Sequence, residues 1–532
     1  MKRRPERAGG RFGPLGLMAL GWVVAGLAIS PVAAQTKKRV SATDGKAIYL
    51  RECKVCHGPD GRGDGPASYY LFPKPRSLAD GLFKIRSTPS GEPPTDSDLF
   101  RTLSRGLPGS AMPGFVWLTE AERWALVTYV KELANIREKP EEVVVPPPKP
   151  PSDPKILSLG RKTYDKLECA ECHGVEGRGD GTSAPTLKDD RGFPIPPNDF
   201  TRGLYKGGGS DKDVYMRFMT GLDGTPMPSY EGTLSEKEAW GLVYYVRSLA
   251  GKKVAVQPST GDIETRRVPG DLPSNPMDPL WSKVPATRIP LMLLWQRRRA
   301  SEGVTVRAVH NGRRLALLLE WEDLKPDARL IRNQDYSDGA AVQFSLSAKP
   351  PPFPMGDKGR PVNIWYWRAD RQMDLARFRD VEDVYSRLVA DDYQSDISRY
   401  PRGHLDVPQH LRPLQILSAP AHNPTFLSGW AAGNPVSYPW RFSPIEDLNA
   451  EGFGTLTPQE EKGQNIRGVG FWVAGAWKVV FERDLASKDP FDVKLKPGGS
   501  VPVAFAVWDG SQQDRDGQKA VTTWYTLRLK QR

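Results

Sequence analysis

The sequence predicts a multidomain chain, with two all-α domains followed by a mainly antiparallel β-sandwich domain. Three observations lead to this fold class: a length of 532 residues, one internal repeat, and a change of residue pattern near residue 275. A chain of this length exceeds what one hydrophobic core usually organises. The repeat predicts the two α domains at residues 40–137 and 157–252, and the changed pattern predicts the β domain at residues 275–532.

Residues 1–35 are predicted to be an export signal. Basic residues open this stretch at positions 2–7, an apolar run follows to Ile29, and small residues close it at Ala34. A single membrane anchor is the alternative, but Gly and Pro dilute the run well short of about 20 clean apolar residues. We therefore expect cleavage near Ala34 or Gln35, no membrane span in the rest of the chain, and a periplasmic location.

Composition narrows the classes of partner. The chain has 75 basic and 63 acidic residues, a formal charge of +12. The basic residues are spread along the chain without a basic helix, so nucleic-acid binding is not predicted. The excess charge fits either a solvated surface or an acidic redox partner reached under electrostatic steering. All four cysteines lie in two Cys-x-x-Cys-His units, which leaves none for a disulfide or an iron–sulfur cluster.

The repeat carries the same signals in each copy. Residues 52–65 recur as residues 168–181, each copy reading Glu-Cys-x-x-Cys-His-Gly and ending Gly-Arg-Gly-Asp-Gly. A helical stretch precedes each copy, and a capping box with an amphipathic helix closes each domain, at residues 119–133 and 235–249. Between the domains, the Pro-rich residues 138–156 should form an extended spacer. A second linker is predicted at residues 253–274.

Each repeat contains the pattern by which haem is attached covalently. Two thiols two residues apart on one helical turn can form thioether bonds to the two vinyl groups of one haem, and the adjacent His then reaches the iron. A zinc or redox site is the alternative for one such unit, but two copies in an exported chain disfavour it. We therefore predict two haem c groups, one on Cys53, Cys56 and His57 and one on Cys169, Cys172 and His173.

A methionine in each domain is the predicted sixth ligand. Met112 and Met227 lie in matching Gly/Pro-rich loops, each followed by Pro, at similar distances beyond the two histidines. A thioether stabilises ferrous iron, and His/Met coordination raises the reduction potential. Met216 and Met219 are rivals in the second domain, although both fall inside a predicted helix at residues 211–220.

The last part of the chain reads as β structure. β-Branched and aromatic runs occupy residues 304–321, 340–346, 362–367, 470–481, 501–508 and 521–529, with turn signals such as Asn311-Gly312 between them. This pattern favours an antiparallel β-sandwich or barrel. Residues 385–465 are rich in Pro, Gly and Asn and are predicted to be a long inserted loop region.

The two repeats resemble class I-type cytochrome c domains, over about residues 40–135 and 157–252. The resemblance implies three or more helices around each haem, with one haem edge exposed for electron transfer. The repeated Arg62 and Arg178 leave two interpretations open, a bond to the haem propionates and a solvated charge.

The β region carries a second resemblance. Residues 277–281, 310–314, 353–357, 364–370 and 508–524 occur in the order seen in the haem b domain of the ethylbenzene dehydrogenase γ-subunit family, and together they resemble it. That resemblance implies a β-sandwich similar to carbohydrate-binding modules and a non-covalent haem b held by Met355 and Lys519. A lysine binds iron only after losing its proton, so burial would have to lower its pKa.

Other interpretations of the β region remain open. Met355 could be a packing methionine and Lys519 a surface lysine, with no haem between them. The histidines at positions 310, 404, 410 and 422 are alternative ligands without matched spacing, and we interpret each as structural.

These features predict an electron-transfer protein without catalytic residues of its own. The second resemblance implies partners, the catalytic molybdopterin and iron–sulfur subunits of an enzyme of the dimethyl sulfoxide reductase type. Electrons would pass between haem b and the two haem c groups, and to or from a soluble cytochrome or the respiratory chain. Two alternatives remain: a dihaem c carrier whose β domain is a non-haem docking module, and a dihaem peroxidase. A Met ligand on each haem disfavours the peroxidase.

Overall fold

The structure is a computed structural model that describes residues 42–250, 261–297, 301–351, 355–375, 383–385 and 443–531. These residues belong to one compact unit that spans residues 40–532. The predicted export signal, most of the predicted insertion, and His404, His410 and His422 lie outside the described residues. No helix within the described ranges is long and apolar enough to cross a bilayer.

The first α domain contains four α-helices: α1 (Ala42–Glu52), α2 (Lys54–His57), α3 (Asp96–Arg105) and α4 (Glu120–Leu133). Capping boxes start α3 at Thr95 and α4 at Thr119, because each N-cap hydroxyl accepts the N3 amide and the N3 carboxylate accepts the N-cap amide. The second domain repeats this design with α5 (Pro154–Lys166), α6 (Cys169–His173), α7 (Asp211–Thr220) and α8 (Glu236–Ser248). Helix α5 begins inside the stretch predicted to be a spacer, because Asp153 caps it.

The first and last helices of each domain cross at a glycine. A Cβ on Gly45 of α1 would lie 2.2 Å from the Ala125 carbonyl oxygen of α4. A Cβ on Gly160 of α5 would lie 1.9 Å from the Gly241 carbonyl oxygen of α8. Only glycine allows the two backbones to approach this closely. These crossings fix the end of the helix that leads into each Cys-x-x-Cys-His unit.

The third domain is a mostly antiparallel sheet folded around one core, which confirms the predicted fold class. Its strands are β1 (Asp262–Arg267), β2 (Thr287–Pro290), β3 (Met292–Leu293), β4 (Gly303–His310), β5 (Arg314–Glu322), β6 (Gly339–Ser345), β7 (Val362–Arg368), β8 (Ile445–Ala450), β9 (Thr457–Pro458), β10 (Arg467–Val473), β11 (Ala476–Asp484), β12 (Ser500–Trp508), β13 (Ala520–Val521) and β14 (Tyr525–Leu529), with the short helix α9 (Ala369–Asp374) after β7. The strand order is β10-β11-β5-β4-β1-β14-β12-β6-β7-β8-β9. One cluster of buried side chains collects residues from both halves of this order, as in a sandwich.

Strand β1 joins the two halves of the sheet. Residues 262–265 pair in parallel with β14, and residues 266–267 pair in parallel with β4. The prediction of a linker at residues 253–274 is therefore wrong over this stretch. Charged residues alternate with Ile263 and Thr265, which are both buried, and the short pattern did not indicate a strand.

Strands β8 and β9 also correct a prediction. Both lie within residues 385–465, which were predicted to be an inserted loop region. Strand β8 pairs with β7 along its whole length, and its residues are almost all buried. Its sequence mixes Glu446, Asp447 and Asn449 with apolar residues, so the alternation expected of a strand is hidden. Asp447 and Asn363 form a buried hydrogen bond that accommodates this polarity.

Candidate functional sites

The first candidate site is a cavity of about 200 Å³ in the first α domain, which Cys53, Cys56, His57 and Met112 all line. Both thiols are free, and burial raises the pKa of the Cys56 thiol to about 12, so it is neutral. The Nδ1 of His57 lies 2.9 Å from the Arg76 carbonyl oxygen. A proton on Nδ1 would make this bond and leave the Nε2 lone pair for a metal.

The histidine is held neutral and the methionine is held in place. Burial lowers the pKa of His57, which favours the neutral imidazole that binds metals. The Met112 amide donates to the Ser110 hydroxyl at 3.3 Å, and its carbonyl accepts from the Leu107 amide at 3.0 Å. These bonds fold the methionine loop against the end of α3.

The second candidate site repeats this arrangement in a cavity of about 340 Å³, lined by Cys169, Cys172, His173 and Met227. The His173 Nδ1 lies 3.1 Å from the Asn198 carbonyl oxygen, and burial lowers its pKa. The Met227 loop makes the same two bonds as its counterpart in the first domain. The rivals Met216 and Met219 are buried in α7 and do not line the cavity.

The donor set of both cavities suits a covalently attached haem. Each cavity offers two neutral thiols, one imidazole with a free Nε2 and one thioether, and most of the remaining lining is apolar. A haem c needs these groups and an apolar surrounding. Arg62 is exposed, and Arg178 is exposed and bonded to Glu176 at 2.7 Å. Neither arginine lines a cavity, which favours the interpretation as solvated charges.

Three residues that the sequence interpretation missed line both cavities: Lys84, Ile85 and Lys206. The two lysines end the repeated pattern Gly-Leu-aromatic-Lys, at residues 81–84 and 203–206. That repeated pattern is a sequence signal from which the two lysines could have been identified as equivalent residues. The position of the lysines between two cavities, in contrast, depends on how the α domains pack and is invisible in the sequence.

The third candidate site brings Met355 and Lys519 together. The Lys519 Nζ lies 3.8 Å from the Met355 Sδ, although 164 positions separate them in the chain. Lys519 is 7% exposed, and burial lowers its pKa to about 8. Its ammonium group lies 4.7 Å from the centre of the Trp508 ring. Deprotonation of this lysine therefore costs far less than it would in water.

Met355 is held in an unusual conformation. Its φ is +84°, in a region that residues other than glycine rarely adopt. The Gln343 side-chain oxygen accepts the Met355 amide at 2.9 Å, and the Gly452 amide donates to the Met355 carbonyl at 2.7 Å. The strained backbone and these two bonds direct the thioether into an apolar cluster that includes Trp508, with Trp524 packed against it.

The donor chemistry of this third site fits a metal with a neutral nitrogen and a soft sulfur ligand. The buried side-chain nitrogen of Gln343 has no hydrogen-bond partner among the described residues. His310, in contrast, uses both ring nitrogens, one with the Lys530 carbonyl and one with the Gly312 amide.

The first α domain contacts the β domain close to this third site. The Phe72 amide donates to the Leu294 carbonyl at 3.0 Å, and the Gln296 amide donates to the Phe72 carbonyl at 2.8 Å. One apolar cluster contains Met292 and Val521 of the β domain, and Cys56 of the first cavity packs against it.

The two α domains are joined by buried polar bonds. The Arg86 guanidinium donates to the Thr220 carbonyl and to the Asp223 carboxylate, each at 2.7 Å. Arg217 donates back to the carbonyls of Lys84 and Arg86. Near the same surface, Arg76 pairs with Asp190 at 2.6 Å.

Comparison with known proteins gives the same division of the chain. The family model described as Cytochrome c matches residues 42–134 and 157–250, and the one described as Ethylbenzene dehydrogenase matches residues 278–520. The chain is 25% identical over 288 residues to the chlorate reductase subunit gamma of Ideonella dechloratans, a match that covers 53% of this chain and 90% of that protein. It is 24% identical over 275 residues to the dimethylsulfide dehydrogenase subunit gamma of Rhodovulum sulfidophilum, covering 48% and 76%.

One solved structure matches part of the chain at 48% identity and a TM-score of 0.38, the Kuenenia stuttgartiensis reducing HAO-like protein complex Kustc0457/Kustc0458. The match covers 39% of this chain and 96% of that chain.

Proposed function

Because this chain joins two cytochrome c domains to a domain of the ethylbenzene dehydrogenase family, we propose that it is the electron-transfer subunit of a periplasmic molybdopterin oxidoreductase, carrying two haem c groups and one haem b. The observation that carries this proposal is the contact between Lys519 and Met355 in the same compact unit as the two Cys-x-x-Cys-His cavities. Substrate chemistry takes place on partner subunits, as expected for a gamma-type subunit.

The residues that line the two cavities support the proposed haem c ligands. Cys53 and Cys56 hold the first haem, with His57 and Met112 on its iron; Cys169 and Cys172 hold the second, with His173 and Met227. The haem iron supplies one-electron chemistry. The carbonyls of Arg76 and Asn198 keep each Nδ1 protonated, so that Nε2 faces the metal. A thioether on the sixth position keeps peroxide out, which argues against a peroxidase.

The β domain holds the proposed haem b. Met355 and Lys519 would hold its iron, and the aromatic residues around them would exclude water. Burial makes the neutral amine of Lys519 accessible near neutral pH, which iron ligation requires.

A short route of hydrogen bonds connects the third site to the first cavity. The Leu294 amide donates to the Lys519 carbonyl at 3.1 Å, and the Leu294 carbonyl accepts from the Phe72 amide. Leu71 and Pro73, on either side of Phe72, line the first cavity. The first cavity in turn shares lining residues with the second. We therefore propose the order haem b, first haem c, second haem c.

The proposed partners bind at the two ends of the proposed haem series, the β domain and the second cytochrome c domain. The β domain would bind the catalytic molybdopterin and iron–sulfur subunits, as the gamma subunits of chlorate reductase and dimethylsulfide dehydrogenase belong to multisubunit enzymes by name. The second cytochrome c domain would exchange electrons with a soluble cytochrome or a component of the respiratory chain.

The haem content of the purified full chain tests the proposal. A pyridine haemochrome assay is expected to give haem c and haem b in a ratio of about two to one. Lys519→Ala should lose the haem b signal and keep both haem c signals. A wild-type chain that contains haem c alone would refute the haem b assignment and favour a dihaem carrier with a non-haem docking module.

A further inference from the structure

Two lysines stand between the two haem c cavities. Lys84 belongs to the first α domain and Lys206 to the second, and each lines both cavities. They occupy equivalent positions in the repeat, at the end of the two Gly-Leu-aromatic-Lys patterns. The two copies of the repeat therefore place equivalent lysines in the lining of the same two cavities.

Neither ammonium group has a partner. Among the described residues, no hydrogen bond or ion pair is made by the Nζ of Lys84 or of Lys206. Burial lowers the pKa of each to about 8, and for Lys84 the charge of Lys206 adds to this effect. Asp189 and Asp190 act on Lys84 from a distance, but Asp190 is paired with Arg76 and Asp189 accepts from the Arg191 and Phe193 amides. Two partly buried cations without a contacting anion are costly, so the position favours negative charge from another group.

The backbone that carries Lys84 is fixed against the second domain. Arg217 of α7 donates to the Lys84 carbonyl at 3.3 Å, and the neighbouring Arg86 side chain is fully buried in the contact between the domains. The backbone of Lys84 is therefore held in the contact between the two α domains.

We propose that Lys84 and Lys206 form one shared binding site for the propionate carboxylates of both haem c groups. This inference rests on the proposed haem c assignment. Propionates are the anionic groups of haem, and each cavity is otherwise mainly apolar. The shared site brings the propionate edges of the two haems to the same place, and each lysine charge acts on both irons.

Redox titration of the holoprotein tests this site. Reduction adds an electron to each haem, so a nearby positive charge stabilises the reduced form. Lys84→Gln is therefore expected to shift both haem c midpoint potentials to more negative values, whereas Lys84→Arg should leave both close to wild type. Lys206→Gln is the reciprocal variant and should have the same double effect.

Lys74 offers a matched control. It lines the first cavity alone, and its ammonium group donates to the Ser68 carbonyl at 2.8 Å. Lys74→Gln is expected to shift the first haem potential at most. A Lys84→Gln variant that shifts one potential, or none, while retaining both haem c groups by pyridine haemochrome overturns the shared site. Absence of haem c from the wild-type chain would instead refute the proposed function.

A second inference concerns three aspartates at one end of the β domain, far in sequence from the haem c motifs. Asp323 follows β5, Asp338 precedes β6 and Asp509 follows β12. One carboxylate oxygen from each lies within 4.8 Å of the others. Asp323 and Asp338 are 5% and 0% exposed.

The hydrogen bonds in this cluster are incomplete. Asp338 accepts from the Gly510 amide at 2.7 Å and from the Trp477 ring nitrogen at 2.9 Å. The Asp323 Oδ1 accepts from the Lys325 amide at 3.1 Å, but its buried Oδ2 has no hydrogen-bond partner within the described part of the chain. This orphaned oxygen is a second observation that points to an absent ligand.

Among the described residues, Lys325 pairs with Asp327, and Arg297 pairs with Asp514 while its charge also acts on Asp509. Burial and the mutual repulsion of the carboxylates raise the pKa of Asp323. A bound cation would offset this repulsion.

The geometry points to a structural site for a hard divalent cation of the Ca²⁺ type on Asp323, Asp338 and Asp509. Ca²⁺ prefers carboxylate and carbonyl oxygens and tolerates irregular geometry, which fits donors from three separate strand ends.

Calcium titration of the full chain after chelator treatment tests this site. Added CaCl₂ is expected to bind by isothermal titration calorimetry and to raise the thermal unfolding temperature, and Asp323→Asn should abolish both effects. Asp335→Asn is a suitable control, because Asp335 pairs with Arg332 and does not belong to the cluster. Absence of binding at millimolar Ca²⁺, or equal binding by Asp323→Asn, overturns the site.

Discussion

Arg86 is the side chain whose removal should loosen the contact between the two cytochrome c domains most. Its guanidinium is fully buried and donates to four acceptors, the carbonyls of Phe83, Pro89 and Thr220 and the Asp223 carboxylate. Arg86→Met keeps much of the apolar volume but removes every one of these bonds. Asp223 is left in a mostly buried position without its cation.

The expected loss of stability at the contact between the domains depends on the bonds that Arg86→Met removes. Breaking a buried ion pair by removing one partner costs about 3–5 kcal/mol. Asp223 retains the Ser90 hydroxyl at 2.8 Å and the Gly91 amide at 3.0 Å as donors, so we expect the lower end, about 3 kcal/mol. Each 1.4 kcal/mol corresponds to about tenfold in an equilibrium constant, so the contact should open about 100-fold more often.

Hydrogen exchange of the holoprotein measures this opening. Amides of residues 83–91 and 220–224 should exchange about 100-fold faster in Arg86→Met, while amides in the core of the β domain stay unchanged. Arg137→Met is the control, because Arg137 is exposed and its one side-chain bond within the described ranges is to Asn135. Arg86→Met/Asp223→Asn should recover part of the loss, since the orphaned charge is also removed. If the amides of residues 83–91 and 220–224 exchange in Arg86→Met at the wild-type rate, the Arg86 bonds do not hold the two domains together.

Two further predictions concern a helix crossing and a buried acid. Gly160→Ala places a methyl group 1.9 Å from the Gly241 carbonyl oxygen, and urea unfolding should show a loss of about 2–3 kcal/mol, unlike the exposed Gly209→Ala, where the nearest atom lies 3.8 Å away. Burial and the neighbouring carboxylates raise the pKa of Asp323 in the folded state, so the metal-free protein loses stability as pH rises from about 4, the ordinary pKa of an aspartate, through the raised folded-state pKa. Asp323→Asn mimics the neutral acid, and its thermal unfolding temperature in chelator should exceed that of wild type at pH 7; a lower temperature would contradict the assignment.

The sequence predicted those parts of the fold that depend on local chemistry. Capping boxes identified α4 and α8, and the Cys-x-x-Cys-His units with their methionine loops identified the lining of both α cavities. Strands β1 and β8 were not predicted. Charged residues at the exposed positions of β1 and buried polar residues in β8 hide the alternation of apolar and polar residues that is typical of a strand.

The site residues differ in the same way. The proximity of Met355 and Lys519 was predicted only through a family resemblance, since residue chemistry does not bring together side chains 164 positions apart. Lys84 and Lys206 were not predicted as site residues, for another reason. A repeated lysine is visible in the sequence, but its place between two cavities is a property of domain packing.

The parallel pairing of β1 with β14 has a consequence for the order of assembly. Asp262 pairs with Thr526, so the first strand of the β domain can be completed only by nearly the last residues of the chain. Both cytochrome c domains contain mainly contacts between nearby segments, and loop closure over such a long separation is slow. The cytochrome c domains can therefore fold while the β domain is still open. The proposed haem b site, which depends on Lys519 just before β13, would be the last of the three candidate sites to form.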